Sequence, residues 1–445
     1  MKLLKNRNFY RFLIPSLIGM FLFVTPIQSN GNLTIPIAVI ANALLNLLGD
    51  HSSLAIYILV SLSAIITIIH KIHKIPFIAN HEKLNNLFDV KGIWFVVRMV
   101  GFVFVNMLYW GFGPEAILSE DTGGLVIHGL MPILVCVFLL AGLLLSLLLN
   151  YGLLDFFGAL LIKIMRPVFN LPGRSALDCI ASWLGDGSVG VLLTAKQYEE
   201  GFYSKREATV IATTFSAVSI TFCLVVVEQV NLGHMFIPFY LTVGLAGVVA
   251  AIIVPKLPPL SRVPDSYCVQ KPYPEDIPAG STAAQYGLKL ALDKAAKSPS
   301  LGGFFKEGFT TVFEMWFGTL PVILCLGTLA LIIAEYTPIF KMLGVVFIPL
   351  YELLQIPEAA AASQTVIVGF ADMFLPSVIA SSFTSEMTKF VVAATSVTQL
   401  IYMSEIGSII MGSKIPVSLK NLFIIFLERT IVTLPVIALA AHIIF

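Results

Sequence analysis

The sequence predicts an all-α polytopic membrane protein with inverted repeats, each carrying a re-entrant hairpin and a broken transmembrane helix. Three observations predict it. Of the 445 residues, 57% are hydrophobic and only 12% charged, about half the roughly 25% charge of a soluble domain. Long apolar runs recur along the whole chain. Two of the broken runs each carry an aspartate in an irregular stretch, Asp186 in "WLGDGSVG" and Asp372 in "VGFADMFLPS".

A helix needs roughly 20 residues to cross a bilayer. Runs of about that length fall at 11–28, 31–48, 54–70, 93–112, 125–149, 207–228, 234–254, 317–335, 388–404 and 422–443. No small-residue cleavage site follows the first run in "FLFVTPIQSNGN", so it reads as an uncleaved membrane segment. Lys2, Lys5, Arg7 and Arg11 place the N-terminus in the cytoplasm, and Lys71, Lys74, Lys83 and Lys91 do the same for loop 71–91. Loop 113–124 holds Glu115, Glu120 and Asp121 with no base, as an external loop would. An inside start and an inside loop require an even number of crossings between them. Either one of the first three runs is interfacial or re-entrant, or the loop departs from the rule. Residues 255–303 are polar and rich in proline and lysine. They read as a cytoplasmic linker with a short helix at 281–296. Glu228, Glu335 and Glu405, with Trp94, Trp110 and Trp316, fall near run ends and are expected at the interfaces. Trp183 falls inside the first hairpin.

The two halves share an order of features. "MPILVCVFLLAGLLL" (131–145) matches "LPVILCLGTLALII" (320–333). A mixed helix then ends at Leu171-Pro172 or Ile356-Pro357. The aspartate follows after 14 residues in the first half and 15 in the second, and a hydroxyl-rich run comes next, at 207–222 and 386–400. The resulting division is 1–124 for N-terminal helices, 125–254 for the first repeat, 255–316 for the linker and its amphipathic helix, and 317–445 for the second repeat. Three crossings from residue 125 to the linker invert the second repeat relative to the first. The stretches 174–198 and 358–383 are too short to cross twice and become re-entrant hairpins entering from opposite sides. Such paired broken helices recur in transporters, where half-helix ends and unwound backbone bind solute and coupling ions.

The candidate solute- and ion-binding residues are Gly185, Asp186, Gly187 and Ser188 at the first tip, Gln364 and Asp372 in the second hairpin, and Thr214, Ser216, Ser219, Thr395, Ser396 and Gln399 in the hydroxyl-rich runs. A lipid-facing aspartate at mid-membrane would cost roughly 2.5–3.5 kcal/mol, so each aspartate should face a cavity, a partner or a cation. Serine and threonine also serve as plain helix–helix contacts. An amide is costly in lipid without partners. The net charge of +1 gives no sign of nucleic-acid binding. Five scattered cysteines and seven dispersed histidines give no metal spacing. No P-loop, dinucleotide fingerprint or HExxH is present, which argues against ATP-driven pumping by this chain alone.

The stretch "SWLGDGSVGVLLTAKQYEEGFYSKREATVIATTFSAVSITF" resembles the nucleoside-recognition (Gate) domain shared by concentrative nucleoside transporters, the membrane part of ferrous-iron transporter B and spore-maturation proteins. With "FLIPSLIGMFLFVTPI" and "GNLTIPIAVIAN" included, nearly the whole chain is most similar to the YjiH family of inner-membrane proteins. The resemblance implies paired hairpins and broken helices as in the nucleoside transporters. In those proteins the first tip contacts nucleoside through Gly-Gln-Thr/Ser-Glu. The aligned residues here are Gly185, Asp186, Gly187 and Ser188, without the glutamine and the glutamate. The resemblance also implies a partner, either a second copy or a smaller Gate-domain membrane protein.

These readings converge on a non-enzymatic, multi-pass protein of the bacterial inner membrane. Its expected function is secondary-active transport of a small polar solute (a nucleoside, dipeptide or organic anion) driven by Na⁺ or H⁺, with no other cofactor. The alternatives are a non-transporting membrane scaffold and, with two membrane aspartates able to share a proton, an intramembrane aspartyl protease.

Overall fold

The structure is a computed structural model that describes residues 7–23, 25, 27–29, 32–90, 92–184, 187–216, 218–269, 277–278 and 280–445. It is almost entirely helical. Among the described residues, six helical stretches are long and apolar enough to cross a membrane: Pro36–Ile72, Ile93–Trp110, Leu125–Leu149, Gly233–Lys256, Leu301–Tyr336 and Leu419–Ile444. This is a multi-pass membrane protein.

Four corrections to the expected spans follow from local geometry. The runs 31–48 and 54–70 form one stretch, with a 3₁₀ turn at Gly49–His51 joining its two α-helices. The run 11–28 is helical only to Phe23 and gives way to a two-stranded antiparallel hairpin that pairs Ile27 with Thr34. The Asn30-Gly31 dipeptide between these strands is a strong short-range hairpin signal. The hydroxyl-rich runs 207–228 and 388–404 are interrupted and form no continuous span. The run 317–335 lies in a longer helical stretch that starts at Leu301 and passes through a π turn at Met315–Thr319. The linker keeps the helix Ala283–Ala296, capped reciprocally by Thr282 and Gln285. Its Ala291 and Ala295 pack with Phe12 and Phe156, which fastens the linker to the first helix and to the helix Leu153–Phe169.

The order of elements is the same in the two halves. A π-helical turn (Leu125–Leu130; Met315–Thr319) leads into an apolar helix whose second residue is proline (Met131–Leu144 with Pro132; Leu320–Tyr336 with Pro321). Proline lacks an N–H, so the carbonyl four residues earlier loses its helical donor. In the second half that carbonyl is Phe317 O, and Ser63 Oγ donates to it at 2.6 Å. A helical hairpin follows (Ser175–Leu184 with Gly187–Glu199; Ala359–Ala371 with Leu375–Ala380). Next come an interrupted helix and a long apolar one, Phe236–Ile253 or Leu419–Ile444.

One continuous hydrophobic core links nearly all of these elements. Where helices cross tightly, the residue is small, as membrane packing favours. A Cβ on Gly142 would stand 2.5 Å from Val312 Cγ2 and 2.9 Å from Val312 N, so no side chain fits between the two repeats' first helices there. Gly142→Val should destabilise the protein by about 1–3 kcal/mol through overpacking, read as a lower melting temperature in detergent. An unchanged melting temperature would mean that the two helices do not pack this closely.

Candidate functional site

Each half contains a helix that stops inside the protein. In the first half, helix Lys205–Val210 starts on a capping box in which Ser204 Oγ accepts from Glu207 N and Glu207 Oε2 accepts from Ser204 N. It widens into a π turn at Ile211–Phe215 and then unwinds, with Ser216 in extended geometry. Helix Ile220–Gln229 resumes on Ser219, whose hydroxyl accepts from Phe222 N. In the second half, helix Glu386–Gln399 ends at Leu400, which has a positive φ of 63°. The chain is irregular to Glu405 and resumes as Ile406–Gly412.

Non-helical backbone at membrane depth must find partners within the protein or in water. The second break finds them in the second hairpin. Met403 N and Ser404 N donate to Phe370 O and Ala371 O, both at 2.8 Å. Asp372 completes the junction. Its Oδ1 accepts from Phe374 N (2.7 Å) and Leu375 N (3.2 Å), which starts the hairpin's second helix, and its Oδ2 accepts from Ser404 Oγ at 2.6 Å. Gln399 lies alongside, donating from Nε2 to Val366 O and to Thr430 Oγ1, each at 3.0 Å. A Cβ on Gly369 would come within 2.0 Å of Gln399 Oε1, so a glycine is required for that amide to fit.

The two breaks meet at Arg429. This arginine is the eleventh residue of the 26-residue helix Leu419–Ile444 and is 2% exposed. Its Nε and Nη2 donate to Thr398 O at 3.0 and 2.7 Å, and its Nη1 donates to Thr214 O at 2.8 Å. Thr214 and Thr398 are each the next-to-last residue of the helix before a break. Their carbonyls belong to the last helical turn, which has no intrahelical donor. One guanidinium therefore satisfies the interrupted helices of both repeats. Among the described residues, no carboxylate pairs with it.

The hairpins exchange contacts across the repeats. A Cβ on Gly187, at the first tip, would lie 3.0 Å from Ile406 Cδ1, in the resumed helix of the second half. Phe374, at the second tip, meets Phe222 of the first half's resumed helix edge-to-face at 6.2 Å. The arms of the first hairpin are joined around Asp178, which is fully buried. Gln197 Nε2 donates to its Oδ1 at 2.7 Å. Thr194 Oγ1 and Tyr203 OH reach its Oδ2 at 3.0 and 2.9 Å. Trp183 stacks on Tyr240 of the helix Phe236–Ile253.

The expected site residues divide into several groups. Asp372 and Gln399 gather at the second break, and Thr214 meets Thr398 through Arg429. Thr214, Ser216 and Ser396 turn their hydroxyls back onto Val210 O, Ile211 O and Ala393 O of their own helices. The buried Thr395 hydroxyl lies beside the buried Tyr351 hydroxyl. Ser188 is buried in the first hairpin. Gln364 is exposed on the outer side of the second hairpin, away from the breaks. Its neighbours Ser363 and Thr365 are buried. Glu405, expected at an interface, is half-buried in the second break and accepts from Tyr402 OH at 3.1 Å. Gly185 and Asp186 lie outside the described residues. Arg429, Thr430 and Asp178 were not anticipated. The legible signal for the first was an arginine in the middle of an apolar run.

A cavity of about 690 Å³ lies beside this region. The first hairpin's return arm (Leu192, Lys196, Glu199), the first helices of both repeats (Gly142, Thr319) and the end of the resumed second helix (Gly412) contribute to its wall. Charged side chains on the wall pair with one another: Lys196 with Glu199 (3.4 Å) and Glu314 (3.7 Å), and Lys414 with Glu199 (3.7 Å). None of the described candidate residues lines it.

Short hairpins packed against interrupted helices in a multi-pass helical bundle define the class as a helical membrane protein, and the comparisons add a family. Residues 131–233 match the Gate family, described as nucleoside recognition. The chain is 50% identical over 440 residues to an uncharacterized protein of Alkalihalophilus pseudofirmus, covering 98% of this chain and 95% of that one. The chain belongs to the same family as that bacterial protein. No solved structure matches it.

Removing the carboxylate of Asp372 takes an acceptor from two backbone amides and from Ser404. Asp372→Ala should lower stability by about 2–3 kcal/mol, as loss of a largely buried carboxylate that accepts three hydrogen bonds. Asp372→Asn, which keeps a carbonyl oxygen, should lose less. Thermal unfolding in detergent orders the two variants, and equal stability for all three proteins would refute the junction.

Proposed function

We propose that this protein is a secondary-active transporter of the bacterial inner membrane. It moves a small polar solute, with nucleoside-like compounds first and dipeptides or organic anions next, and is driven by Na⁺ or H⁺. The observation that carries this reading is the pair of interrupted helices meeting at Arg429, each faced by the other half's hairpin tip. A bundle of apolar spans gains nothing in stability from breaking two of its helices at depth, whereas solute and ion sites are built from such ends. The Gate match supports the solute class. The matching element order supports inverted repeats at 125–254 and 317–445, with hairpins 174–198 and 358–383 entering from opposite sides. In this reading the 690 Å³ cavity, walled by elements of both repeats, is the cytoplasmic vestibule. Asp186, at the first tip, is the coupling carboxylate. The assembly is a homo-oligomer or a pairing with a companion Gate-domain protein.

One observation favours a scaffold instead: the hydroxyls of Thr214, Ser216 and Ser396 are satisfied by their own helices. The protease reading finds less support, because Asp372 is engaged by Ser404 and two backbone amides.

A thermal-shift screen of purified protein against nucleosides, dipeptides and organic acids, with and without Na⁺, separates these readings. A transporter is stabilised by one solute class, and Asp186→Asn weakens any ion dependence of that effect. A scaffold is stabilised by none. Orientation has its own test. Cys268 in the linker is exposed, whereas Cys136, Cys223 and Cys325 are buried. A membrane-impermeant maleimide should label Cys268 in inside-out vesicles and spare it in right-side-out ones. The opposite pattern would invert the topology.

A further inference from the structure

Arg429 presents a chemical oddity. Its guanidinium is buried, makes three hydrogen bonds to two carbonyl oxygens, and has no carboxylate partner among the described residues. A buried charge without a counter-charge is strongly unfavourable, so the negative potential that holds it must come from the backbone. The geometry supplies that potential. The C-terminal end of a helix carries about half a negative elementary charge, and two such ends, at Thr214 and Thr398, point at one guanidinium. Together they amount to about one negative charge against one positive charge.

In transporters with interrupted helices, converging half-helix C-terminal ends and unwound carbonyls form the place that binds the coupling cation. We propose that in this protein Arg429 is that cation, covalently built in. The guanidinium occupies the cation position between the two helix ends, so no free Na⁺ binds there, and it is a positioning residue that holds both repeats' interrupted helices in register. This inference rests on the transporter reading for its meaning in coupling. The occupancy itself is a binding property and can be measured without transport. If it holds, whatever ion drives the cycle acts elsewhere in the protein.

Three features of the surroundings fit a fixed occupant. Thr430 and Thr433, on the same helix, lie against Gln399 Nε2 (3.0 Å) and Thr398 Oγ1 (3.3 Å), so the helix is keyed to the second break on either side of the arginine. Thr430 Oγ1 and Thr433 Oγ1 donate to Phe426 O and Arg429 O of their own helix, which leaves the two C-terminal carbonyls to the guanidinium. The geometry is also particular to arginine. Bonding Thr398 O through both Nε and Nη2 while reaching Thr214 O through Nη1 uses two edges of a planar fork that a lysine ammonium lacks.

The test is chemical rescue of Arg429→Ala in purified full-length protein, followed by melting temperature in detergent. Wild type, Arg429→Ala and Arg429→Lys are each titrated with guanidinium, NaCl and KCl, with choline chloride held as the ionic-strength control. Arg429→Ala should melt several degrees lower. Millimolar guanidinium or an alkali cation should restore a substantial part of the loss, over and above any gain that the same cation gives wild type through a site elsewhere. Arg429→Lys should fall between the two, because one ammonium cannot reproduce both edges. An Arg429→Ala protein that melts like wild type, or that is lowered and unmoved by every cation, overturns the proposal. Should Arg429→Ala fail to fold, Arg429→Met, which removes the charge and keeps the bulk, carries the same test: a cation-dependent gain no larger than that of wild type would overturn it. A non-transporting scaffold would still show the rescue, and a transporter lacking this device would take up solute without showing it, so the two claims fail separately.

Discussion

A backbone carbonyl that loses its helical donor inside a bilayer must find another, and here the decisive donor is the guanidinium of Arg429. Two helices, one from each repeat, end in the interior of the fold. Without Arg429 the oxygens of Thr214 and Thr398 would lose this donor, at a cost of several kcal/mol for each group left unsatisfied. With it, the ends are fixed relative to each other and to the helix Leu419–Ile444. The breaks, the small hairpins and the close helix crossings can be read as consequences of keeping irregular backbone deep in the protein while leaving it no polar group to expose to lipid.

The repeats are coupled by exchange as well as by that arginine. The first hairpin's tip rests on the resumed helix of the second half, at Ile406, and the second hairpin's Phe374 rests on Phe222 in the first half. Each half thus completes the other. Asp372 performs three tasks at one point: it starts a helix, bonds Ser404 of the break and faces the bundle interior. Such an arrangement transmits displacement well, because moving a tip disturbs the other repeat's interrupted helix rather than a lipid-facing surface.

Much of this was legible in the sequence. Low charge and recurring apolar runs gave the class, and the shared order of Leu-Pro or Ile-Pro, aspartate and hydroxyl-rich run pointed to the parallel order of elements in the two halves. Composition could not separate a continuous helix from an interrupted one, which is why 207–228 and 388–404 looked like spans. A hydroxyl inside a membrane helix reads alike whether it binds a ligand or its own backbone, so Thr214, Ser216 and Ser396 were expected to line a site and turn out to be back-bonded. Gln364 shows a related limit of sequence, since period alone does not say which side of a short helix faces in. Arg429 was the largest omission. It sits in "FIIFLERTIVTLPVIALAA", whose apolar length drew attention to spanning rather than to the one buried charge.

The most direct measurement of the central claim is solute accumulation in proteoliposomes containing the purified protein. It would use radiolabelled solutes of the class that stabilises the protein, with an imposed Na⁺ or proton gradient. Accumulation above the external concentration, abolished by collapsing the gradient, is the result predicted for two hairpins working against two interrupted helices. Uptake equal to that of protein-free liposomes, under every gradient and for every stabilising solute, would contradict it.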